Sequence, residues 1–351
     1  MSELLQRFRE AGRTGNPWRP LAFWGWNDGI DPEEVRRQVR EMARGGLGGY
    51  IVHARRGLEA DYMGLEWMEG VRVAVDEGAK AGLAAWLCDE NSGPSGACSG
   101  RVYGGREAFR AKSLVFEEVQ PSAWQPSEAT VAVFVARKER GGSYAAFRRV
   151  EDPRSLGRLA IKADEAAVHF VYRSGEYVDV FSRKATEEFL RQTHERYAGV
   201  LGGEFGRAVP GIFTAESQYA GAGQCVPWSQ ELPKFFQRVC GYDLLERLPE
   251  LFFPVGRYHK TRFDFYETAL RLFLLAWTMP VYQWCDRHRL ALAGHVMGAS
   301  TLLGQMQWVG AAMPHYEYMH VPGVDHRGRK GGSAVAVKQA SSVAAQFGRP
   351  R

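Results

Sequence analysis

Cysteine is scarce in this sequence: five in 351 residues, at positions 88, 98, 225, 240 and 285, an odd number with no metal-ligand spacing. That argues against a disulfide framework and fits reduced, buried thiols, so a cytoplasmic location is expected. Long apolar runs are lacking too. The opening segment MSELLQRFREAGRTG has no continuous apolar stretch of the secretory-signal kind. The most apolar run, Leu272 to Tyr282, is too short for a bilayer and contains Pro280. No membrane contact is expected. Charge of one sign is thinly spread, with a formal net charge of +5 and separate short groups at Arg36-Arg37, Arg55-Arg56, Arg148-Arg149 and Arg327 to Lys330. Nucleic acid is therefore not an expected partner. Gly45-Gly46 and Gly48-Gly49 lack the phosphate-loop and dinucleotide spacings and read as helix stops. Neither His-x-His nor His-Glu-x-x-His occurs, so no metal and no organic cofactor is expected. Internal repeats and low-complexity segments are absent.

Aromatic residues, by contrast, are plentiful: 12% of the chain, including ten tryptophans. Most large aromatics fill cores, but a few in a groove can stack flat faces on sugar rings. The 45% apolar and 24% charged fractions are those of a globular protein, and the length allows one large domain or two small ones.

The first hundred residues alternate strand and helix. Ala22 to Trp26 is a short apolar strand, and Asp31-Pro32-Glu33-Glu34 opens a helix with Asp as N-cap and Pro at its first position. Gly49 to His53 and Ala84 to Cys88 are further strands, separated by a helix from about Leu65 to Ala81. This rhythm indicates a parallel sheet with helical crossovers. Short β-like runs then take over at Ser113–Val119, Thr130–Val135, Tyr144–Val150 and Ala166–Tyr172. They read as a small antiparallel module inserted after strand three. Alternation resumes with a helix over Arg183–Gly202, a strand Gly211–Thr214, helices near Gln230–Cys240 and Thr261–His288, and a strand Ala291–His295. A helix near Ser300–Gly310, a strand candidate Tyr316–Val321 and a helix Val335–Phe347 follow.

The expected fold is thus α/β of the (β/α)8 TIM-barrel type, incomplete, with about six barrel strands. Residues 1–100 begin the barrel, 101–178 form the β-rich insert, and 179–351 continue the barrel through strands four to six. A closed barrel needs eight strands, so the chain is expected to stop before a seventh and to self-associate through open edges.

Function in such barrels collects at the C-terminal strand ends. Those ends carry Asn27 and Asp28; His53 and Arg55; Asp89 and Glu90; Glu216; His295; and Glu317, His320 and Asp325. A mouth rich in carboxylates, His and Trp suits hydrolysis of a polyhydroxylated substrate. Glycoside cleavage needs one carboxylic acid to protonate the leaving oxygen and one carboxylate to attack or to activate water. Of Asp89 and Glu90, one is expected to face substrate and the other to fix the loop Gly93-Pro94-Ser95-Gly96. His53 and His295 are candidate sugar binders, as are Asn27 and the aromatics Trp24, Trp26 and Trp228. His194 reads as structural, and His315, His320 and His326 surround the loop Pro322-Gly323-Val324-Asp325.

The runs FWGWNDG, GLGGYIVHARRGL, WLCDENSGPSGACSGRV, GIFTAES, YQWCDRHRLALAGHV and YEYMHVPGVD resemble a group of bacterial glycoside hydrolases related to the family 106 α-L-rhamnosidases and to clan-A barrels. The resemblance covers essentially the whole chain except the insert. It implies that the strand-four carboxylate, here Glu216, is the catalytic acid/base. It also implies that the partner carboxylate belongs to a seventh strand beyond Arg351, so that no residue of this chain takes that role; Glu317 and Asp325, on the last strand and its loop, would lie beside that place and not in it. Two departures stand out: Ala215 occupies the place of an Asp before that Glu, and Gly298-Ala299-Ser300 that of acidic residues after the Gly-His of strand five. The reading is therefore a glycosidase acting on an oligosaccharide or glycoside, with this chain alone expected to be inactive. Its rivals are a non-catalytic carbohydrate-binding or scaffold barrel and a metal-dependent barrel hydrolase.

Overall fold

The computed structural model describes residue 6 and residues 19–219, 226–325 and 334–349; Cys225, His326, the Arg327 to Lys330 run and most of the opening segment lie outside them. Strands β1 (Leu21–Trp26), β2 (Gly49–Ala54), β3 (Ala84–Asn91), β8 (Gly211–Ser217), β10 (Ala291–Val296) and β11 (Val321–Pro322) form a single parallel sheet in that order.

Local chemistry sets the crossovers. Helix α1 (Pro32–Arg44) starts where the Asp31 side chain accepts from the Glu33 N–H, with Pro32 at its first position and Glu33 and Glu34 at the positive end of the dipole. Helix α2 (Leu65–Ala81) stops at Gly82, whose φ of 68° is a left-handed cap that favours glycine. One face of the sheet packs on these helices, and α3 (Arg183–Gln192) and α4 (His194–Leu201) join the same core. Tyr50, Val52, Ala85, Leu87, Ile212, Trp67, Phe189 and Tyr197 are buried there. The indole N–H of Trp67 donates to the Tyr197 hydroxyl at 3.3 Å, and that hydroxyl donates to the Cys88 carbonyl at 3.1 Å, so the buried polar tips are bonded. The opposite face carries Phe23, which remains 50% exposed, and its ring meets those of His53 and Phe213 edge-on.

The other sheet is antiparallel, in the order β6 (Tyr144–Arg149), β5 (Thr130–Lys138), β7 (Glu165–Val178), β4 (Arg110–Val119), β9 (Val226–Trp228). Ala132, Phe134, Val168 and Phe170 join the main core, while Val133, Val135 and Ala167 pack with Val150 and Leu156 on the other side. That alternation is what period-2 strands produce. Helices α5 (Leu232–Cys240), α6 (Leu248–Phe252), α7 (Tyr258–Phe273) and α8 (Met279–Arg287) follow, then α9 (Leu302–Trp308), α10 (Ala312–Glu317) and α11 (Ala334–Gln346).

The molecule is a mixed α/β structure, and the barrel expectation is met only as far as a six-stranded parallel sheet with crossovers. Among the described residues β1 and β11 are edges and no closed eight-stranded ring forms. The sixth strand differs most from expectation. Tyr316 and its neighbours form helix α10, because Pro314 suits a first helical turn and the His315 ring is bonded to Thr278 and to the Val309 carbonyl. Only Val321–Pro322 pair with β10. The helix expected over residues 183–202 breaks at Thr193, which leaves helical geometry. The one expected over 261–288 passes through a π-helical turn at Leu274–Thr278, just ahead of Pro280, which has no N–H to give.

Gly49 shows how tightly the sheet closes: a Cβ there would lie 2.1 Å from the Ala84 carbonyl oxygen, which is backbone and cannot swing away. Gly49→Ala is expected to lower stability by about 1–3 kcal/mol or more. Urea unfolding checks this, and an unchanged midpoint would contradict the close approach.

Candidate active site

The site is built outward from a buried carboxylate. Glu90, near the end of β3, is 2% exposed. Its Oε2 accepts backbone N–H bonds from Gly96, Ala97 and Cys98 at 3.1, 2.7 and 2.7 Å, and its Oε1 accepts from Asn91 and Ser99 at 2.9 and 3.0 Å. The chain from 91 to 99 is wrapped around one side chain. Burial raises the Glu90 carboxyl above its ordinary value, and these N–H groups oppose the rise by stabilising the anion.

The wrapped loop then grips the next strand. Ser95 Oγ donates to Asp89 Oδ1 at 2.5 Å and accepts from the Ala215 N–H at 2.8 Å. The Ser95 N–H donates to the Ala215 carbonyl at 2.7 Å, and the Tyr177 hydroxyl donates to the Ser95 carbonyl. Ala215 is thus bonded from both its backbone groups, and the residue after it is Glu216. There the register against β10 slips: His295 pairs with Ala215 and Val296 with Ser217, which leaves Glu216 bulged out at φ 60°. A left-handed non-glycine residue in a bulge is strained, and such strain persists where surroundings impose it, often to aim a side chain.

Glu216 lines a cleft of about 640 Å³ over the uncovered face of the sheet, together with His53, Arg55, His295, Asp325 and the rings of Phe23 and Phe213. His53 is 3% exposed, and among the described residues neither ring nitrogen has a hydrogen-bond partner. Burial, and then the Arg55 guanidinium, hold its imidazole down at about 4, so it is neutral near pH 7. Glu216, His295 and Asp325 each offer a ligand atom within 4.8 Å of the others, so these three could hold a cation despite the absence of a metal motif in the sequence.

Of the residues expected at the mouth, the structure brings together Glu216, His53, Arg55, His295 and Asp325. Glu90 is the loop holder, and Asp89 is fully buried beneath the cleft on Ser95, so neither of the pair reaches the cleft wall. Trp26 packs between Trp24 and Trp67 in the core, and Trp228 is buried in β9 against β4, so neither can stack on a ligand. Asn27 is exposed beside α1, lining a shallower depression with Asp28 and Gln38. His315 and His320 are bonded into the fold, the latter accepting from the Leu292 N–H, and Glu317 does not line the cleft. Phe23, Phe213 and the Ser95 bridge went unrecognised in the sequence. Alternation from His53 and His295 onto the same face of neighbouring strands was the available signal for the two rings.

No family model matches the chain, and no curated protein matches it. In fold the chain is similar to a rhamnosidase from Novosphingobium sp. PP1Y, with a TM-score of 0.65 and 14% identity, over 97% of this chain and 52% of that one. The chain therefore spans about half the length of that protein. At this identity the likeness is one of fold.

Burial raises the Asp89 carboxyl to about 7, against the pull of the Ser95 hydroxyl and with a further push from Glu90. An unfolded Asp titrates near 3.9. The folded state thus holds the extra proton between about pH 4 and 7, and the stability it brings is lost as pH rises through 7. Asp89→Asn removes this dependence while keeping an acceptor for Ser95. Its unfolding free energy relative to the wild type is expected to improve by a few kcal/mol between pH 4 and 8. Parallel stability–pH curves for the two proteins would contradict the assignment.

Proposed function

We propose that this chain belongs to a glycoside hydrolase-like protein that cleaves a glycosidic bond, with Glu216 as general acid/base. The observation that carries the reading is the bulged, left-handed Glu216, held by the bonded Ala215 and directed at a cleft lined by rings and polar tips. Phe23 and Phe213 offer apolar faces for a sugar ring, and the Arg55 guanidinium offers donors for its hydroxyls. The rhamnosidase fold likeness supports the same class.

Acid/base cleavage needs a second carboxylate. Asp325 fits that role better than any other described residue, since it lines the same cleft and its carboxylate lies within 4.8 Å of that of Glu216. In enzymes where the second group attacks the anomeric carbon directly, the two carboxyl groups are about 5 Å apart, and Asp325 is proposed for that role. Glu216 would then protonate the departing oxygen, and later deprotonate the water that releases the sugar. Arg55 would orient the sugar ring, with His53 packed beneath it against Phe23.

The same closeness of Glu216, His295 and Asp325 favours a second reading, in which they bind a divalent cation and the protein is a metal-dependent hydrolase.

Turnover of a panel of aryl glycosides, rhamnosides and galactosides included, tests both. Under the first reading Glu216→Gln lowers turnover by about 10²-fold or more, and chelation with EDTA leaves it unchanged. Turnover equal to wild type in Glu216→Gln would sink the acid/base assignment. EDTA-sensitive turnover restored by a divalent salt would select the second reading. Sugar binding by calorimetry without turnover would mark a binding protein.

A further inference from the structure

Away from the cleft, the helical shell holds a cavity of about 470 Å³ between the N-terminal ends of α3 and α5 and the π-helical turn at 274–278. Four cations line it, Arg183, Lys184, Lys234 and Arg238, against a single anion, Glu231. Its floor is apolar, with buried Phe235 and half-exposed Leu275.

Two of these cations, Lys184 and Lys234, are placed where a helix alone would not want them; Arg183 is paired with Glu187 at 3.1 Å, and Arg238 lies in the last turn of α5. Elsewhere this chain neutralises helical arginines with acids three or four residues away: Arg36 with Glu33, Arg72 with Glu69 and Asp76, Arg271 with Glu267. Helix α5 contains no acidic residue, and its Lys234 and Arg238 are four apart, a like-charge pair on one face. Lys184 and Lys234 also sit in first turns, at the positive end of the helix dipole, where cations are disfavoured. Among the described residues Lys184, Lys234 and Arg238 have no ion-pair partner, although Glu231 is three residues before Lys234. The Arg238 guanidinium is braced over the Phe235 ring, 4.8 Å from its centre, which leaves its N–H edge for an oxyanion. The π-helical turn brings Leu275 and Ala276 to the wall, and such turns recur at functional sites.

We infer that this cavity is a binding site for a small organic anion. Its phosphate or carboxylate meets Lys184, Lys234 and Arg238, and its apolar body lies on Phe235 and Leu275. The volume is that of a small-molecule site. The site is separate from the cleft of Glu216 and does not depend on the chemistry proposed there.

Calorimetry on the 351-residue chain with 1-naphthyl phosphate tests this, with 1-naphthoate to tell phosphate from carboxylate and 2-naphthol and inorganic phosphate as controls. One of the two anionic naphthalenes is expected to bind at one site per chain, at least tenfold more tightly than either control. The double variant Lys234→Glu/Arg238→Glu should abolish binding, and Leu275→Asp, at an exposed position, should weaken it at least tenfold. Glu216→Gln should leave it unchanged. No saturable binding of either anion at millimolar concentration would overturn the inference. So would binding that survives both cavity variants, or inorganic phosphate binding as tightly as the naphthyl ester.

Discussion

Five backbone N–H groups converging on the buried carboxylate of Glu90 hold the rest of the site in place. Taking a carboxylate out of water costs several kcal/mol unless its lone pairs are filled, and N–H bonds to a charged acceptor contribute about 1.5–3 kcal/mol each. The cheapest way to keep Glu90 buried is therefore to keep residues 91–99 wrapped around it. Ser95 is the outward face of that wrapping, and it fixes both backbone groups of Ala215. A strained residue such as Glu216 persists only where its neighbours cannot relax. The immobility of Glu90 is thus passed, through Ser95 and Ala215, to the one carboxylate that bulges into the cleft.

The two carboxylates at the end of β3 divide this work. Glu90 is surrounded by donors and organises backbone. Asp89 is fully buried with the Ser95 hydroxyl as its donor, and that burial raises its affinity for a proton. Neither touches the cleft, yet both decide its shape. The cleft itself lies on the sheet face that the helices leave uncovered, so its floor is made of the rings of Phe23 and Phe213, which would otherwise be core.

Much of this was legible in the sequence, for reasons that can be named. Asp31-Pro32 and the glycines after the helices mark ends through capping chemistry that is local, and the strands before His53, Glu216 and His295 are apolar runs of strand length. The position of Glu216 followed from those strand ends. What the sequence hid depends on contacts between distant segments. Val226–Trp228 is too short to show alternation and becomes strand only by pairing with β4, which takes Trp228 into the core. Asp89 and Glu90 look alike in sequence, and only the return of residues 95–99 tells the loop holder from its neighbour. Tyr316 reads as strand by its aromatic neighbours, but its helix is fixed by the bonds of His315 to Thr278 and Val309.

Hydrogen exchange on Glu90→Gln tests the central claim most directly. The amide of Gln brings a donor where the loop supplies only donors, so the wrapping should loosen while the sheet persists. The amides of Gly96 to Ser99 and of Ala215 are expected to exchange about tenfold faster or more than in the wild type, with those of β1 and β2 unchanged. Unaltered exchange at Ala215, with the 96–99 loop freed, would show that Glu216 is held by something other than the Glu90 cage.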